Sequence, residues 1–139
     1  MPRIIGILET ALYVSELTKS INFYERLFGF TNLGSNKRMA TLRIAENQVL
    51  LLFKKGGSVR ASETSYGIIP PSDGDGNLHL AFGVTKNELD DWENLLSELE
   101  ISIESKVEWP EGGKSIYFRD PDGHSLELKT SDWDNPIEF

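Results

Sequence analysis

From Leu8 onward the chain alternates in polarity. Leu8, Thr10, Leu12 and Val14 fall on one side and Glu9, Ala11 and Tyr13 on the other, the period of a strand with two unlike faces. Leu17, Ile21, Tyr24 and Phe28 then recur at spacings of four, three and four, the stripe of an amphipathic helix. Gly29 stands where that helix wants a left-handed C-terminal cap, which Gly adopts without strain. Strands are predicted over 30–33, 39–44 and 48–53, the last two joined by a tight turn at Glu46 and Asn47. From Lys54 to Asn77 the periodicity vanishes, while Gly56, Gly57, Pro70, Pro71, Gly74 and Gly76 accumulate. A connection longer than about 12–15 residues spans modules or closes over a site, and the module junction is the reading preferred. The order then repeats. Leu78, Leu80, Phe82 and Val84 make the apolar side of a strand, with His79, Ala81 and Gly83 opposite. Thr85 and Glu88 have the spacing of a capping box. Leu89, Trp92, Leu96 and Leu99, widened by Leu95, predict a second helix, and strands are expected over 101–107, 114–119 and 124–129. The tail beyond Thr130 carries Trp133 and Phe139, expected to pack on the surface or on a second subunit.

The repetition extends to single residues. Gly6, Leu8, Ala11 and Val14 meet Gly76, Leu78, Ala81 and Val84, and Ser15 meets Thr85, each hydroxyl where a helix could begin. The middle of each copy is a potential metal ligand, Glu9 in the first and His79 in the second. Gln48 to Lys54 likewise echoes His124 to Thr130: Leu50 and Leu52 match Leu126 and Leu128, while Leu51 falls opposite Glu127. The chain therefore reads as two copies of one strand–helix–three-strand module, 1–55 and 76–130, joined by a long loop into one α+β domain.

Bulk properties narrow the partners. The chain has 139 residues, enough for one domain with a sizeable core and no covalent staple. Its net charge of −8 argues against nucleic acid, because phosphate binding needs a basic surface. It has no cysteine, which excludes disulfides and thiolate metal sites and is compatible with a reducing cytosol. The apolar run from Ile4 to Leu8 is cut off by Glu9, too short for a signal core or a membrane span.

Parity gathers the chemistry. If Leu78, Leu80 and Phe82 pack under a helix, His79 points to the other face of its sheet, and Glu9 and Glu127 turn away from their own apolar neighbours in the same way. Two curved sheets related by a pseudo-twofold would place those faces around one cleft. Two carboxylates and one imidazole converging there call for a divalent cation or a shared proton network, since an unpaired buried carboxylate costs several kcal/mol. The turn Asp120-Pro121-Asp122-Gly123 suits a type I turn with Gly as a G1 bulge, a register that pairs Tyr117 with Glu127. Ser115, Tyr117 and Arg119 then share the cleft face with Glu127, while Val49, Leu51 and Phe53 form an apolar wall on the first module. His124 has the parity of Leu126 and reads as a turn residue.

The stretches LETALYVSELTKSINFYERLFGF, GNLHLAFGV and GGKSIYFRDPDGHSLEL resemble, in order and spacing, the vicinal oxygen chelate superfamily. Its members include glyoxalase, extradiol dioxygenases, fosfomycin-resistance transferases and bleomycin-binding proteins. The resemblance implies the glyoxalase-like fold of two βαβββ modules, with Glu9, His79 and Glu127 at the metal-ligand positions. It also implies a divalent cofactor: oxygen-rich donors suit Mn²⁺, Mg²⁺ or Fe²⁺, with Ni²⁺ and Zn²⁺ also in range. Glu9 stands where many members have His, so the two-His, one-carboxylate pattern of non-haem iron oxygenases is not met. Leu51 replaces the fourth ligand typical of glyoxalase, and Ala11 replaces a Thr of the fosfomycin transferases.

Two functions follow as expectations. One is a metal-dependent enzyme acting on a small oxygen-bearing substrate, with Tyr117, Arg119 and Leu51 as substrate contacts. The other is a non-catalytic protein that sequesters a drug, as bleomycin-binding relatives do. A homodimer is expected in either case, because relatives with two modules per chain often share modules between subunits.

Overall fold

A computed structural model describes residues 1–110 and 112–130, so Trp133 and Phe139 lie outside the described residues. The chain divides into two compact units, Met1–Gly76 and Asn77–Phe139. Each contains a four-stranded mixed sheet and one α-helix, the α+β class expected.

In the first unit, β1 (Glu9–Val14), α1 (Leu17–Phe28), β2 (Thr31–Ser35), β3 (Met39–Ala45) and β4 (Gln48–Lys54) build a sheet of order β1-β4-β3-β2. β1 lies parallel to β4, in a register that sets Glu9 beside Val49 and Ala11 beside Leu51. Thr10, Leu12 and Val14 therefore share a face with Leu50 and Leu52, and Leu12, Val14, Leu50 and Leu52 are buried with Tyr24 and Leu27 of α1. Each such side chain contributes about 1.5–3 kcal/mol by leaving water. Gly29 closes α1 at φ 69°, its N–H donating to the Glu25 carbonyl. Leu8, predicted as a core position, precedes the strand and is exposed. The helix begins after Glu16, whose side chain makes no cap hydrogen bond.

The stretch predicted as loop holds a hairpin, β5 (Ser62–Thr64) and β6 (Gly67–Ile69), turning at Ser65 and Tyr66. Most of its residues are exposed, so no alternation marks it in the sequence.

In the second unit, β7 (His79–Gly83), α2 (Leu89–Glu98), β8 (Ser105–Glu108), β9 (Lys114–Arg119) and β10 (Ser125–Lys129) form a sheet of order β7-β10-β9-β8. Phe82, Leu89, Leu96, Ile116, Phe118, Leu126 and Leu128 are its buried apolar residues. The expected capping box does not form. A 3-10 turn over Lys86–Glu88 delays the helix to Leu89, and the Thr85 hydroxyl donates to the Glu88 carboxylate at 2.6 Å instead of either side chain meeting a backbone N–H. β8 starts at Ser105, four residues later than the predicted 101. Among the described residues no helix is long and apolar enough to cross a membrane.

Candidate metal centre

The second unit places its donors by strand register. The G1-bulge pairing holds: the Asp120 N–H donates to the His124 carbonyl, Gly123 sits at φ 83°, and Tyr117 lies opposite Glu127. His124 is buried, and its Nδ1 accepts from the Leu78 N–H at 2.9 Å, so it secures the turn and the start of β7. β10 runs parallel to β7 with Ser125 beside His79 and Glu127 beside Ala81. His79, Glu127, Ser115 and Tyr117 consequently share the face opposite Leu126 and Leu128.

His79 Nε2 lies 3.2 Å from Glu127 Oε1, the His side chain 51% exposed and the Glu side chain 6%. Nδ1 of His79 meets the Ser125 carbonyl oxygen at 2.9 Å. A carbonyl can only accept, so Nδ1 carries a proton, and Nε2 is the ring atom that faces the carboxylate. Two acceptors facing at this separation need either a proton on Nε2 or a cation between them. Ligand bonds of about 2.0–2.2 Å to a divalent ion fit such a bite, and the His–carbonyl bond is the outer support usual for a metal-bound imidazole.

The rest of the cluster steadies Glu127. The Ser115 hydroxyl donates to Oε2, and Ser115 itself accepts the Trp109 Nε1–H at 2.8 Å. Lys129 Nζ lies 4.3 Å from the centre of the Trp109 ring, a cation–π contact. The Tyr117 hydroxyl is held above its ordinary pKa by burial first, then by the hydrogen bond and the charge of Glu127, against a smaller opposing hydrogen bond from Ser115. It is thus a neutral donor at physiological pH. Sequence parity placed Ser115 on this face but gave no sign of Trp109, whose side chain reaches back from the β8–β9 turn.

Arg119 does not stand free for a substrate. Its guanidinium pairs with Glu104 through two contacts, at 2.9 and 3.2 Å, and donates to the Gly123 carbonyl at 3.0 Å. Those bonds tie the turn to the strand edge. A residue fifteen positions away cannot be read from local spacing.

In the first unit, Glu9 and Leu51 share one face of the sheet and line a cavity of about 380 Å³. Tyr13, on the same face, is covered by the 72–74 segment. Its hydroxyl donates to Ser72 Oγ at 2.9 Å, and its ring stacks on Phe53 with centroids 5.6 Å apart. The structure brings His79 and Glu127 together. Glu9 belongs to the other unit, and among the described residues no group of three or more His, Cys, Asp or Glu is gathered for a metal.

The chain has relatives. A profile of the Glyoxalase/Bleomycin resistance protein/Dioxygenase superfamily matches residues 6–128. Metallothiol transferase FosB of Bacillus licheniformis is 32% identical over 129 residues, 92% of this chain and 77% of that protein. A lactoylglutathione lyase structure from Agrobacterium tumefaciens superposes with TM-score 0.85 at 32% identity, covering 94% of this chain and 96% of that one. A variant of fosfomycin resistance protein FosX from Listeria monocytogenes, solved with Mn(II) and 1S,2S-dihydroxypropylphosphonic acid, shares the fold at TM-score 0.70 and 22% identity, covering 95% and 94%. The divalent cofactor expected from the donor set accords with these metal-dependent relatives. With the match running through both strands that carry the facing donors, the chain belongs to the Glyoxalase/Bleomycin resistance protein/Dioxygenase superfamily.

Proposed function

We propose that the protein is a metal-dependent enzyme that acts on a small oxygen-bearing substrate, with Glu9, His79 and Glu127 as the ligands of one divalent ion. The observation carrying this is the pair formed by His79 Nε2 and Glu127 Oε1, 3.2 Å apart, with His79 Nδ1 held by the Ser125 carbonyl. When bound, such an ion supplies Lewis acidity to a substrate oxygen on which negative charge develops. The protein's own groups do the rest. Ser115 fixes the Glu127 carboxylate, and Tyr117, kept as a neutral phenol, donates a hydrogen bond to a substrate oxygen. Leu51 offers an apolar wall where a fourth donor would sit. Metallothiol transferases at about a third identity make thiol transfer the first reaction class to assay.

A homodimer is part of the same reading. Ile4, Ile5, Ile7 and Leu8, immediately before Glu9, are exposed, as are Tyr66, Ile68 and Ile69 of the hairpin. Apolar surface of that kind favours burial against a second copy. Light scattering is expected to give twice the chain mass. Protein purified without chelator is expected to carry a stoichiometric divalent ion that Glu127→Ala loses. No metal in the wild type, and no difference in the variant, would overturn the assignment. The apolar lining of the first unit's cavity favours the sequestering alternative only if an apolar drug binds tightly without metal and without turnover.

A further inference from the structure

The cavity of the first unit holds two positive charges in a chain whose net charge is −8. Arg38 and Arg60 both line it, on the side of the sheet that carries Glu9 and Leu51. Arg38 is held in place by neutral acceptors. Its Nη1 donates to the Gly57 carbonyl at 3.3 Å and its Nη2 to Ser62 Oγ at 3.1 Å. These engage two of five guanidinium donors and leave the charge uncompensated. Its backbone is anchored as well: the Arg38 N–H donates to Asn36 Oδ1 at 2.8 Å, and the Arg38 carbonyl accepts from the Lys54 N–H at 2.8 Å. Gly57 lies so close that a Cβ there would stand 2.9 Å from the Lys54 carbonyl oxygen and 3.5 Å from Arg38 Cβ. Arg60 makes no hydrogen bond or ion pair with another described residue. Two carboxylates line the same space, Glu9 and Glu63, and neither is paired with a guanidinium. The Thr41 hydroxyl and the apolar Leu51 and Phe53 complete the wall.

We propose that this cavity is a subsite for an oxyanion, a phosphate-like or carboxylate group, gripped by Arg38 and Arg60. Planar forked donors suit such groups, and guanidiniums that no carboxylate engages directly let an acidic protein accept an anionic ligand. The assignment of that group to the substrate rests on the enzyme reading above, whereas its binding does not.

The test follows arginine Nε–Hε resonances of the full, metal-free chain during titration with inorganic phosphate and, separately, acetate. The Arg38 and Arg60 signals are expected to move and saturate. Arg38→Ala and Arg60→Ala should each weaken binding roughly tenfold, the loss of one charge-assisted hydrogen bond. Gly57→Ala, crowding the Lys54 carbonyl, should weaken it by shifting the Gly57 carbonyl that holds Arg38, and Lys37→Ala, which removes a neighbouring charge outside the cavity, should leave it unchanged. Preference for phosphate assigns a tetrahedral dianion, and preference for acetate assigns a carboxylate. Absence of saturation, or equal loss in Lys37→Ala, overturns the subsite. Metal titration of the wild type separates the two ideas. Metal binding without oxyanion binding sinks the subsite alone, and oxyanion binding without metal binding sinks the proposed chemistry and leaves the subsite standing.

Discussion

Ser115→Ala probes the second unit's centre most directly. Ser115 is 1% exposed and its hydroxyl donates to a carboxylate that is itself 6% exposed, so water cannot readily replace the bond. A hydrogen bond to a charged group contributes about 1.5–3 kcal/mol net. The substitution also strips Trp109 Nε1–H of its acceptor, though Trp109 is only half-buried and can recover part of that loss from solvent. The ionised form of Glu127 therefore loses roughly 2 kcal/mol, and since a metal needs that ionised form, affinity should fall about 30-fold. The figure lies within the roughly 10–100-fold usual for losing an outer support of a metal ligand. Calorimetric titration of Mn²⁺ into wild type and variant measures it, with a thermal melt to show that both fold. Trp109→Phe, which leaves the hydroxyl in place, should cost only several-fold. If Ser115→Ala binds metal as tightly as wild type, the hydroxyl does not hold the carboxylate for a metal and the reasoning fails.

Two further outcomes can be checked. Thr10 Oγ1 is a buried hydroxyl without a hydrogen-bond partner among the described residues, on the face shared with Leu12 and Val14. Thr10→Val should therefore stabilise the protein by about 1 kcal/mol, raising the melting temperature by a few degrees; an unchanged or lower melting temperature would show that the hydroxyl is satisfied. The phenol absorbance of Tyr117, isolated by difference against Tyr117→Phe, should appear above pH 10.0, and Glu127→Gln should bring it down. Because folding raises this pKa, the neutral phenol's contribution to stability is present below the unfolded value and is lost as pH rises through the folded one. An identical midpoint in Glu127→Gln would remove Glu127 as a cause.

Much of this was legible in the sequence, for physical reasons. Strict alternation around Leu80, Phe82, Leu126 and Leu128 leaves only one way to orient His79 and Glu127, because a one-residue slip would bury them among the apolar side chains. The Asp120–Gly123 turn fixes its hairpin register by the left-handed glycine, so the Tyr117–Glu127 pairing followed from four residues. Where signals were not local, they misled or were silent. The partnership of Arg119 with Glu104 depends on the adjacency of β8 and β9, which no spacing encodes. Thr85 and Glu88 have the right separation for a cap, but the side chains satisfy each other. The β5–β6 hairpin is exposed on most positions, and without a buried face the sequence has no alternation to show.

The two units share a register and differ in chemistry, and the differences are correlated. Glu9 pairs with Val49 as His79 pairs with Ser125, and Leu51 with Ala11 as Glu127 with Ala81. Across the antiparallel neighbour, Thr41 stands opposite Leu51 where Tyr117 stands opposite Glu127, and Met39 opposite Phe53 where Ser115 stands opposite Lys129. The carboxylate at 127 thus came with the hydroxyls that make a buried charge tolerable. The equivalent place at 51 has an apolar side chain and a thioether where the serine would be. A carboxylate at 51 would lack a counterpart of Ser115 and face only the Thr41 hydroxyl across the strand pair, a poorer support for a charge. The two faces therefore differ as whole neighbourhoods rather than residue by residue. The second unit gathers His79 and Glu127, and the first sets Glu9 on an apolar cavity that Arg38 and Arg60 also line.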